Sequence, residues 1–264
     1  MLASHYMAHI LVCNDDGIFA PGIKALVEAV KEFGTLTVVA PDSPQSGMGH
    51  AISVGKPIWA GVSHDFGPDV KAWETSGTPA DCIKIATGQL MDKRPDLIVS
   101  GINHGSNSSI SVFYSGTMSA AIEGVLEGIP SIGFSLLDYS MEADFAAAKQ
   151  VVRTIVRRAL AHRMPENVAL NVNIPKLPAA ELRGIKITRQ SAGRWVEEFD
   201  KRKDPYGRDY YWLMGQFDLQ DDGQDTDEWA LRNGYVSVCP VQIDVTAHHA
   251  LARLNNWEMN EIEG

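Results

Sequence analysis

The chain has 264 residues, 45% of them hydrophobic and 21% charged, which is enough for one sizeable core or for one core plus an extension. Its formal net charge of −10 argues against a general affinity for the backbone of DNA or RNA, which requires clustered Lys and Arg. No run of about 18 apolar residues is present, so no membrane span is predicted. The cysteines Cys13, Cys82 and Cys239 form no CxxC pair, which indicates reduced thiols in a cytosolic protein.

Strands and helices are predicted to alternate over the first two thirds of the chain. Short apolar runs rich in branched residues predict buried strands at residues 9–13, 36–41, 96–101, 130–137 and 168–175. Apolar residues at helical spacing predict helices at residues 22–34, 78–91, 116–128 and 144–163. In the second helix, Thr78 suits the N-cap and Pro79 suits the first helical position. This alternation predicts an α/β fold, with a mostly parallel sheet flanked by helices.

The character of the chain changes after about residue 176. Strand-like runs remain, at residues 185–190, 210–217 and 235–246, and polar segments separate them. The region has too few apolar helices for a second core, so we expect a β-rich C-terminal extension with an arm or hairpin. Its aromatic residues fit either a contact between subunits or packing against their own domain. They are Tyr206, Tyr210, Tyr211, Trp212 and Trp229.

Polar loops follow three of the predicted strands, and in a parallel sheet these loops share the carboxyl edge, where ligands bind. Asp15 and Asp16 follow the first strand, Ser46 follows the second and Asn103 follows the third. Their oxygen atoms suit a hard cation such as Mg²⁺ or Mn²⁺ better than zinc. The alternative is that the Asp pair before Gly17 forms only a turn or a helix cap.

A possible anion site lies at the start of the third predicted helix. Free N–H groups and the helix dipole near Ser115, Gly116 and Thr117 would attract a phosphate, and we group Asn14 with these candidate phosphate-binding residues. The alternative is that Ser115 or Thr117 only caps the helix. His104 is either an acid or base or a residue at the rim of the site. A divalent cation beside such a helix start suits phosphate ester chemistry.

Several segments of the chain together resemble the SurE family, the survival protein E nucleotidases. The resemblance extends from about residue 9 to about residue 250, while residues 1–8 match nothing. The dinucleotide fingerprint, the P-loop and the Gly-x-Ser-x-Gly motif are all absent. The matching segments are "ILVCNDDGIFAPGI", "VVAPDSPQSGMGHAIS", "SGTPADCIKIA", "PDLIVSGINHGSN", "YSGTMSAAIEG" and "GYVSVCPVQIDVTAH".

The resemblance implies a metal-dependent phosphatase that acts on nucleoside 5′- or 3′-monophosphates. One divalent cation per subunit, Mg²⁺ or Mn²⁺, would be held by Asp15, Asp16, Ser46 and Asn103. The family fold implies one domain, with a Rossmann-like core over about residues 9–175. Strands and an arm over about residues 176–264 would be exchanged between subunits, which implies a homodimer or a homotetramer.

We hypothesise that a metal-activated water attacks phosphorus and that Asp15 or Asp16 takes its proton. A phosphoaspartate is not expected, because the DxD spacing of phosphatases with an aspartate nucleophile is absent. Two alternatives remain: an exopolyphosphatase acting mainly on short polyphosphate, and a non-catalytic nucleotide or metal sensor. In each case we expect a cytoplasmic protein that binds neither nucleic acid polymers nor membranes.

Overall fold

The computed structural model describes residues 7–257, in which a nine-stranded sheet carries helices on both faces. The strands are β1 (Ala8–Cys13), β2 (Gly34–Pro41), β3 (Ala60–Ser63), β4 (Lys71–Thr75), β5 (Leu97–His104), β6 (Ser131–Leu136), β7 (Val168–Ile174), β8 (Ile185–Ile187), β9 (Gly193–Lys203), β10 (Asp209–Leu219) and β11 (Val236–Gln242). The helices are α1 (Pro21–Val30), α2 (Pro79–Ile85), α3 (Gly116–Leu126), α4 (Ala146–Ala161), α5 (Asp227–Arg232) and α6 (His248–Asn255). The predicted α/β class is confirmed.

The strand order of the main sheet is β3-β4-β2-β1-β5-β6-β7-β11-β8. The six strands from β4 to β7 in this order pair in parallel, whereas β3 and β11 join their neighbours β4 and β7 antiparallel. The centre of the sheet is β2-β1-β5, so the loops after these three strands emerge side by side at one edge. This topology brings together the three polar loops that the sequence analysis identified.

Two helical layers enclose the sheet. Helices α1 and α4 pack together on one face, and α2 and α3 pack together on the other. Because both faces are covered, the central strands are mostly apolar, and every residue of β6 is buried. The predicted start of α2 is confirmed: Thr78 and Asp81 form a reciprocal capping box, with Pro79 in the first turn.

The C-terminal region divides into two parts. Strands β11 and β8 extend the main sheet, so they are not separate from the core. Strands β9 and β10, of 11 residues each, form a two-stranded antiparallel hairpin, here called the arm. Strands β3 and β4, which complete the opposite end of the sheet, were not predicted from the sequence. Residues 1–6 of the unmatched N-terminal segment lie outside the described residues, and Ala8 is buried in β1.

The aromatic residues of the C-terminal region divide between the two interpretations. Tyr206, Tyr211 and Trp212 are exposed on the arm. Trp229 lies in α5 and stacks on Tyr235, with 6.3 Å between the ring centroids, so it packs against its own domain. The arm therefore presents apolar surface that residues 7–257 leave uncovered, which suits a contact between subunits.

The three cysteines are buried and none forms a disulfide, which agrees with a packing role. Within the span from Met7 to Trp257, no helix has the length and apolar character needed to cross a bilayer.

Helix α3 lies close to the sheet because Gly124 has no side chain. A Cβ atom at this position would lie 2.2 Å from Ser131 Oγ and 2.6 Å from Ile98 Cδ1. We therefore expect Gly124→Ala to lower the free energy of unfolding by about 1–3 kcal/mol, as overpacking does. Gly88→Ala is the matched control, since a Cβ there meets nothing within 4 Å, and it should be neutral or slightly stabilising. Urea titration checks both, and wild-type stability of Gly124→Ala would contradict this account of the packing.

Candidate functional site

The first polar loop makes a tight turn at the end of β1. Gly17 adopts a φ of +96°, and Asn14 Nδ2 donates a hydrogen bond of 2.9 Å to the Gly17 carbonyl oxygen. The next residue, Ile18, donates its N–H to the Pro41 carbonyl oxygen at 2.8 Å. Because β1 is central and buried, this turn keeps Asn14 and Asp15 almost fully buried, while Asp16 is half-buried.

The carboxylate of Asp15 lies against the first turn of α3. Thr117 Oγ1 donates a hydrogen bond of 2.5 Å to Asp15 Oδ1. A Cβ atom on Gly116 would lie 2.5 Å from Asp15 Cβ, so only glycine allows this approach without displacement. The structure thus joins the predicted cation loop to the predicted phosphate helix.

Ser115 and Thr117 have different positions at the start of α3. Ser115 is the N-cap, and its hydroxyl accepts the Met118 N–H at 3.0 Å, which agrees with the capping interpretation. Thr117 instead directs its hydroxyl at Asp15. The N–H groups of Gly116 and Thr117 have no acceptor within residues 7–257, so they remain available to an anion.

The second polar loop carries Ser46 in an exposed turn. The Gln45 N–H donates to the Asp15 carbonyl oxygen at 2.7 Å, and the Gly49 N–H donates to the Tyr114 carbonyl oxygen at 3.3 Å. The loop is therefore attached to the turn after β1 and to the segment before α3. Ser46 lies one residue from the first of these attachments, and its hydroxyl makes no hydrogen bond within the described part of the chain.

The third polar loop begins at an irregularity in β5. The pairing of β5 with β6 shifts register between Ser100 and Asn103, as bulges beside functional sites often do. Asn103 Nδ2 donates to the Gly105 carbonyl oxygen at 2.9 Å, so the amide nitrogen is used, while the amide oxygen has no donor among residues 7–257. The next N–H, that of His104, donates to Asp16 Oδ2 at 3.4 Å. Asn103 therefore lies beside Asp16.

The side chain of His104 packs at the border of this site. Its ring contacts Phe145 edge-on, with 5.3 Å between the centroids. Both ring nitrogens are buried without a hydrogen-bond partner in the described chain, as is Asn14 Oδ1. The packing agrees with the rim interpretation, and an acid or base role for His104 stays a prediction.

Electrostatics set Asp15 apart from an ordinary carboxyl group. Burial and then repulsion from Asp16 raise its pKa from the ordinary value of 3.8 to about 6, although the hydrogen bond from Thr117 acts in the opposite direction. Burial also raises the pKa of Asp16, although the neighbouring His104 lowers that pKa in part. Within residues 7–257, no Lys or Arg side chain pairs with either carboxylate.

The donor set fits a hard divalent cation. Two unpaired carboxylates, an unused amide oxygen and an unused hydroxyl surround the edge between β1, β2 and β5. These are the ligands that Mg²⁺ and Mn²⁺ accept. Over residues 7–257 no group of three or more His, Cys, Asp or Glu side chains is arranged to hold a metal, so a site of the zinc type is not present there.

One cluster of polar side chains around a buried carboxylate near the site was not predicted. Glu123 on α3 is only 2% exposed and accepts hydrogen bonds from His50 at 2.7 Å and from Lys84 at 2.6 Å. The cluster ties the end of the Ser46 loop to α3 and α2. No local sequence signal reveals it, because its members are far apart in the chain and meet only after folding.

Comparisons with known proteins show which family this chain resembles. The family model described as "Survival protein SurE" matches residues 10–197. A protein named "5'-nucleotidase SurE" from Christiangramia forsetii is 58% identical over 96% of this chain and 97% of its own length. A protein of the same name from Flavobacterium psychrophilum is 56% identical, over 96% of this chain and 98% of its own length.

A solved structure gives the same result for the fold. The crystal structure of the SurE protein from Aquifex aeolicus superposes with a TM-score of 0.81 and 41% sequence identity, and the match covers 95% of this chain and 99% of that one. The family model and the near full-length relatives confirm the resemblance seen in the sequence motifs. This chain belongs to the SurE family.

Proposed function

We propose that this protein is a metal-dependent nucleotidase that releases phosphate from nucleoside 5′-monophosphates and also from 3′-monophosphates. The observation that carries the proposal is the contact of the Asp15 carboxylate with the first turn of α3. This contact supports the proposal because a cation held by the Asp15 carboxylate would lie beside free N–H groups that can hold a phosphate. The names of the relatives, "5'-nucleotidase SurE", support the substrate class.

The residues that would hold one divalent cation per subunit are Asp15, Asp16, Ser46 and Asn103. Such a cation, Mg²⁺ or Mn²⁺, would polarise a phosphoryl oxygen and lower the pKa of water in the site. It would also relieve the repulsion between the two aspartates, which no Lys or Arg side chain of the described residues neutralises.

The chain's own residues bind and orient the substrate. The N–H groups of Gly116 and Thr117 hold phosphate oxygens, and the dipole of α3 favours their negative charge. The Thr117 hydroxyl fixes the Asp15 carboxylate through Oδ1. Asp15 or Asp16 then accepts a proton from the water that attacks phosphorus. As the new P–O bond forms, the P–O bond to the nucleoside breaks, and the nucleoside oxygen leaves with a proton returned by that carboxyl group or by solvent. Asn14 supports this arrangement by closing the turn.

The direct test is phosphate release from a 5′-nucleoside monophosphate. We expect release with Mn²⁺ or Mg²⁺ and loss of release with excess EDTA, restored when the metal is added back. Removal of the cation leaves the Asp15–Asp16 pair without its compensating charge, and for this reason activity should disappear entirely. A folded protein that binds nucleotide with metal but releases no phosphate would overturn the proposal in favour of a sensor.

The same assay separates nucleotidase from exopolyphosphatase activity. Short polyphosphate and a 3′-monophosphate are offered alone and in competition with the 5′-monophosphate. We expect all three to compete for one site, because one cation and one helix start bind the phosphoryl group in each. A kcat/KM for polyphosphate far above that for nucleotides would identify polyphosphate as the main substrate.

We also propose that the arm joins subunits into a homodimer or homotetramer. An isolated two-stranded hairpin is only marginally stable in water. Neighbouring residues on a strand point to opposite faces, and Trp212 and Leu213 are 57% and 64% exposed, so both faces of the arm present apolar surface. Burial against a second copy would cover these faces.

A double variant tests the arm. Trp212→Ser with Leu213→Ser should weaken subunit association by at least about 30-fold, because exposed aromatic anchors dominate such interfaces. The melting temperature of the core should change little, because the arm is outside it. Tyr139→Ser with Met141→Ser is the control, since both residues are highly exposed away from the arm. Light scattering after size exclusion measures the mass, and an unchanged mass in the arm variant would contradict the proposal.

The net charge of −10 and the reduced state of the buried cysteines support a cytoplasmic enzyme acting on small nucleotides. We do not expect binding to nucleic acid polymers, because their phosphates require clustered basic side chains.

A further inference from the structure

A fully buried carboxylate lies outside the residues that form the site. Asp227, the first residue of α5, is 0% exposed. It belongs to a polar segment of the C-terminal region and lies beyond the residues that match the family model. An ionised carboxylate is costly to bury unless hydrogen bonds satisfy it, so its partners indicate what it does.

The partners of Asp227 are backbone groups from different parts of the chain. Oδ2 accepts the Ser109 N–H at 2.8 Å, and Oδ1 accepts the Ser191 N–H at 3.0 Å. Oδ1 also accepts the N–H of Glu228 at 2.8 Å. The carboxylate of Glu228 in turn accepts the Ser108 hydroxyl. The start of α5 therefore holds two consecutive residues of a distant loop.

That loop is residues 105–115, which connect Asn103 at the end of β5 to Ser115, the N-cap of α3. Ser109 lies in its middle and has a φ of +51°, a conformation that serine rarely adopts. The Ser109 hydroxyl donates to the Ser191 carbonyl oxygen at 2.9 Å, which adds a second link to the same region. The unusual backbone conformation is thus held from outside the loop.

A different set of bonds fixes Asn107, two residues before Ser109. The Asn107 N–H donates to Asn173 Oδ1 and its side chain donates to Ser135 Oγ, both at 2.8 Å. These bonds attach the first part of the loop to β6 and β7. Asp227 therefore holds the part of the loop that follows Asn107, at Ser109, where the chain turns toward α3.

We propose that Asp227 is a positioning residue for the active site. Its carboxylate fixes the loop between Asn103 and α3, and so fixes the cation ligand relative to the phosphate-binding N–H groups. The inference rests on the proposed function, which assigns Asn103 to the cation and the N–H groups of α3 to the phosphate. Since Ser191 lies two residues before β9, the same carboxylate also connects the loop to the base of the arm.

The test compares Asp227→Asn with Asp222→Asn. In Asp227→Asn, an amide NH₂ replaces one acceptor oxygen, and where it faces the Ser109 N–H the loop loses the hydrogen bond that the Asp227 carboxylate accepts from it. Asp222 is an exposed aspartate of the same segment and serves as the matched control. We expect kcat/KM for a 5′-monophosphate to fall roughly 10- to 100-fold in Asp227→Asn, with most of the loss in kcat. All proteins are assayed well below their melting temperatures, so that unfolding does not contribute.

A second measurement reports the loop directly. Hydrogen–deuterium exchange of peptides from residues 105–115 should be roughly tenfold faster in Asp227→Asn, while peptides from β1 keep their wild-type rates. If Asp227→Asn does not fold, Glu228→Ala removes the neighbouring anchor and should give a smaller change of the same kind. Unchanged loop exchange and unchanged kcat/KM in a folded variant would overturn the inference. A wild-type protein that releases no phosphate would refute the proposed function instead, while the exchange experiment would still test the positioning.

Discussion

Asp15→Asn is expected to abolish phosphate release while making the metal-free protein more stable. The variant keeps an oxygen that can accept the Thr117 hydroxyl, so the local fold should survive. It loses a charged oxygen ligand and a candidate proton acceptor, and we expect kcat to fall by at least about 1,000-fold. If the variant instead lost activity because it unfolded, its stability would fall below that of the wild type. A stability measurement therefore distinguishes loss of a site residue from unfolding.

The stability change has a definite pH dependence. Folding raises the pKa of Asp15 from 3.8 to about 6, so the native state binds this proton more tightly than the unfolded state. Ionised Asp15 therefore destabilises the metal-free wild type progressively as the pH rises from about 4 to about 6. Asp15→Asn has no such penalty and should exceed the wild type by roughly 1–3 kcal/mol at pH 8, with little difference at pH 3.5.

Urea titrations at the two pH values, with EDTA present, measure this difference. In a parallel thermal experiment, Mn²⁺ should raise the melting temperature of the wild type but not of Asp15→Asn, because a bound ligand stabilises only the state that binds it. Asp42→Asn is the control, since Asp42 is exposed in the neighbouring loop and its side chain bonds only to Ser43 within the described chain. Full turnover in Asp15→Asn would remove Asp15 from the site.

Gly116→Ala is expected to reduce kcat/KM roughly 100-fold, because one added methyl group displaces Asp15. The Cβ of an alanine at position 116 would lie 2.5 Å from Asp15 Cβ and 2.9 Å from Asp15 Oδ2. Both distances are shorter than the approach of non-bonded atoms. Either the carboxylate or the start of α3 must move, and each movement separates the cation ligands from the phosphate-binding N–H groups.

Steady-state kinetics and Mn²⁺-dependent melting curves measure this displacement. We expect a weaker response to Mn²⁺ and a cost of about 1–3 kcal/mol in the free energy of unfolding. Gly88→Ala adds the same methyl group where it meets no atom within 4 Å, so it should retain wild-type activity. Wild-type kcat/KM in Gly116→Ala would show that Asp15 does not lie against α3 in the working enzyme.

The parallel sheet and most of its helices were predictable because their signals are local. Apolar runs at β1, β2 and β5 and the cap at Thr78 depend on residues close in the chain. Strands β3 and β4 were missed because their short segments carry little apolar pattern. Strand β4 forms by pairing with β2, a partner about 30 residues away in the chain, and β3 in turn pairs with β4.

The proposed chemistry of the site was predictable from the sequence by itself. The residue types at Asp15, Asp16, Ser46 and Asn103, each placed after a predicted strand, indicated an oxygen-ligand cation site at the carboxyl edge. That inference needed no coordinates, because the parallel arrangement places such loops together. The motif resemblance to the SurE family was also readable from the sequence alone, and the comparisons confirmed it.

Only the tertiary structure decided which side chains support one another. The bond from Thr117 to Asp15, the burial of Glu123 beside His50 and Lys84, and the hold of Asp227 on Ser109 all join residues far apart in the chain. In each of these polar contacts, the packing of separate elements brings the two partners together. A local sequence pattern therefore cannot predict the contact. The pKa of Asp15 likewise depends on burial, which exists only once α3 has packed against the end of β1.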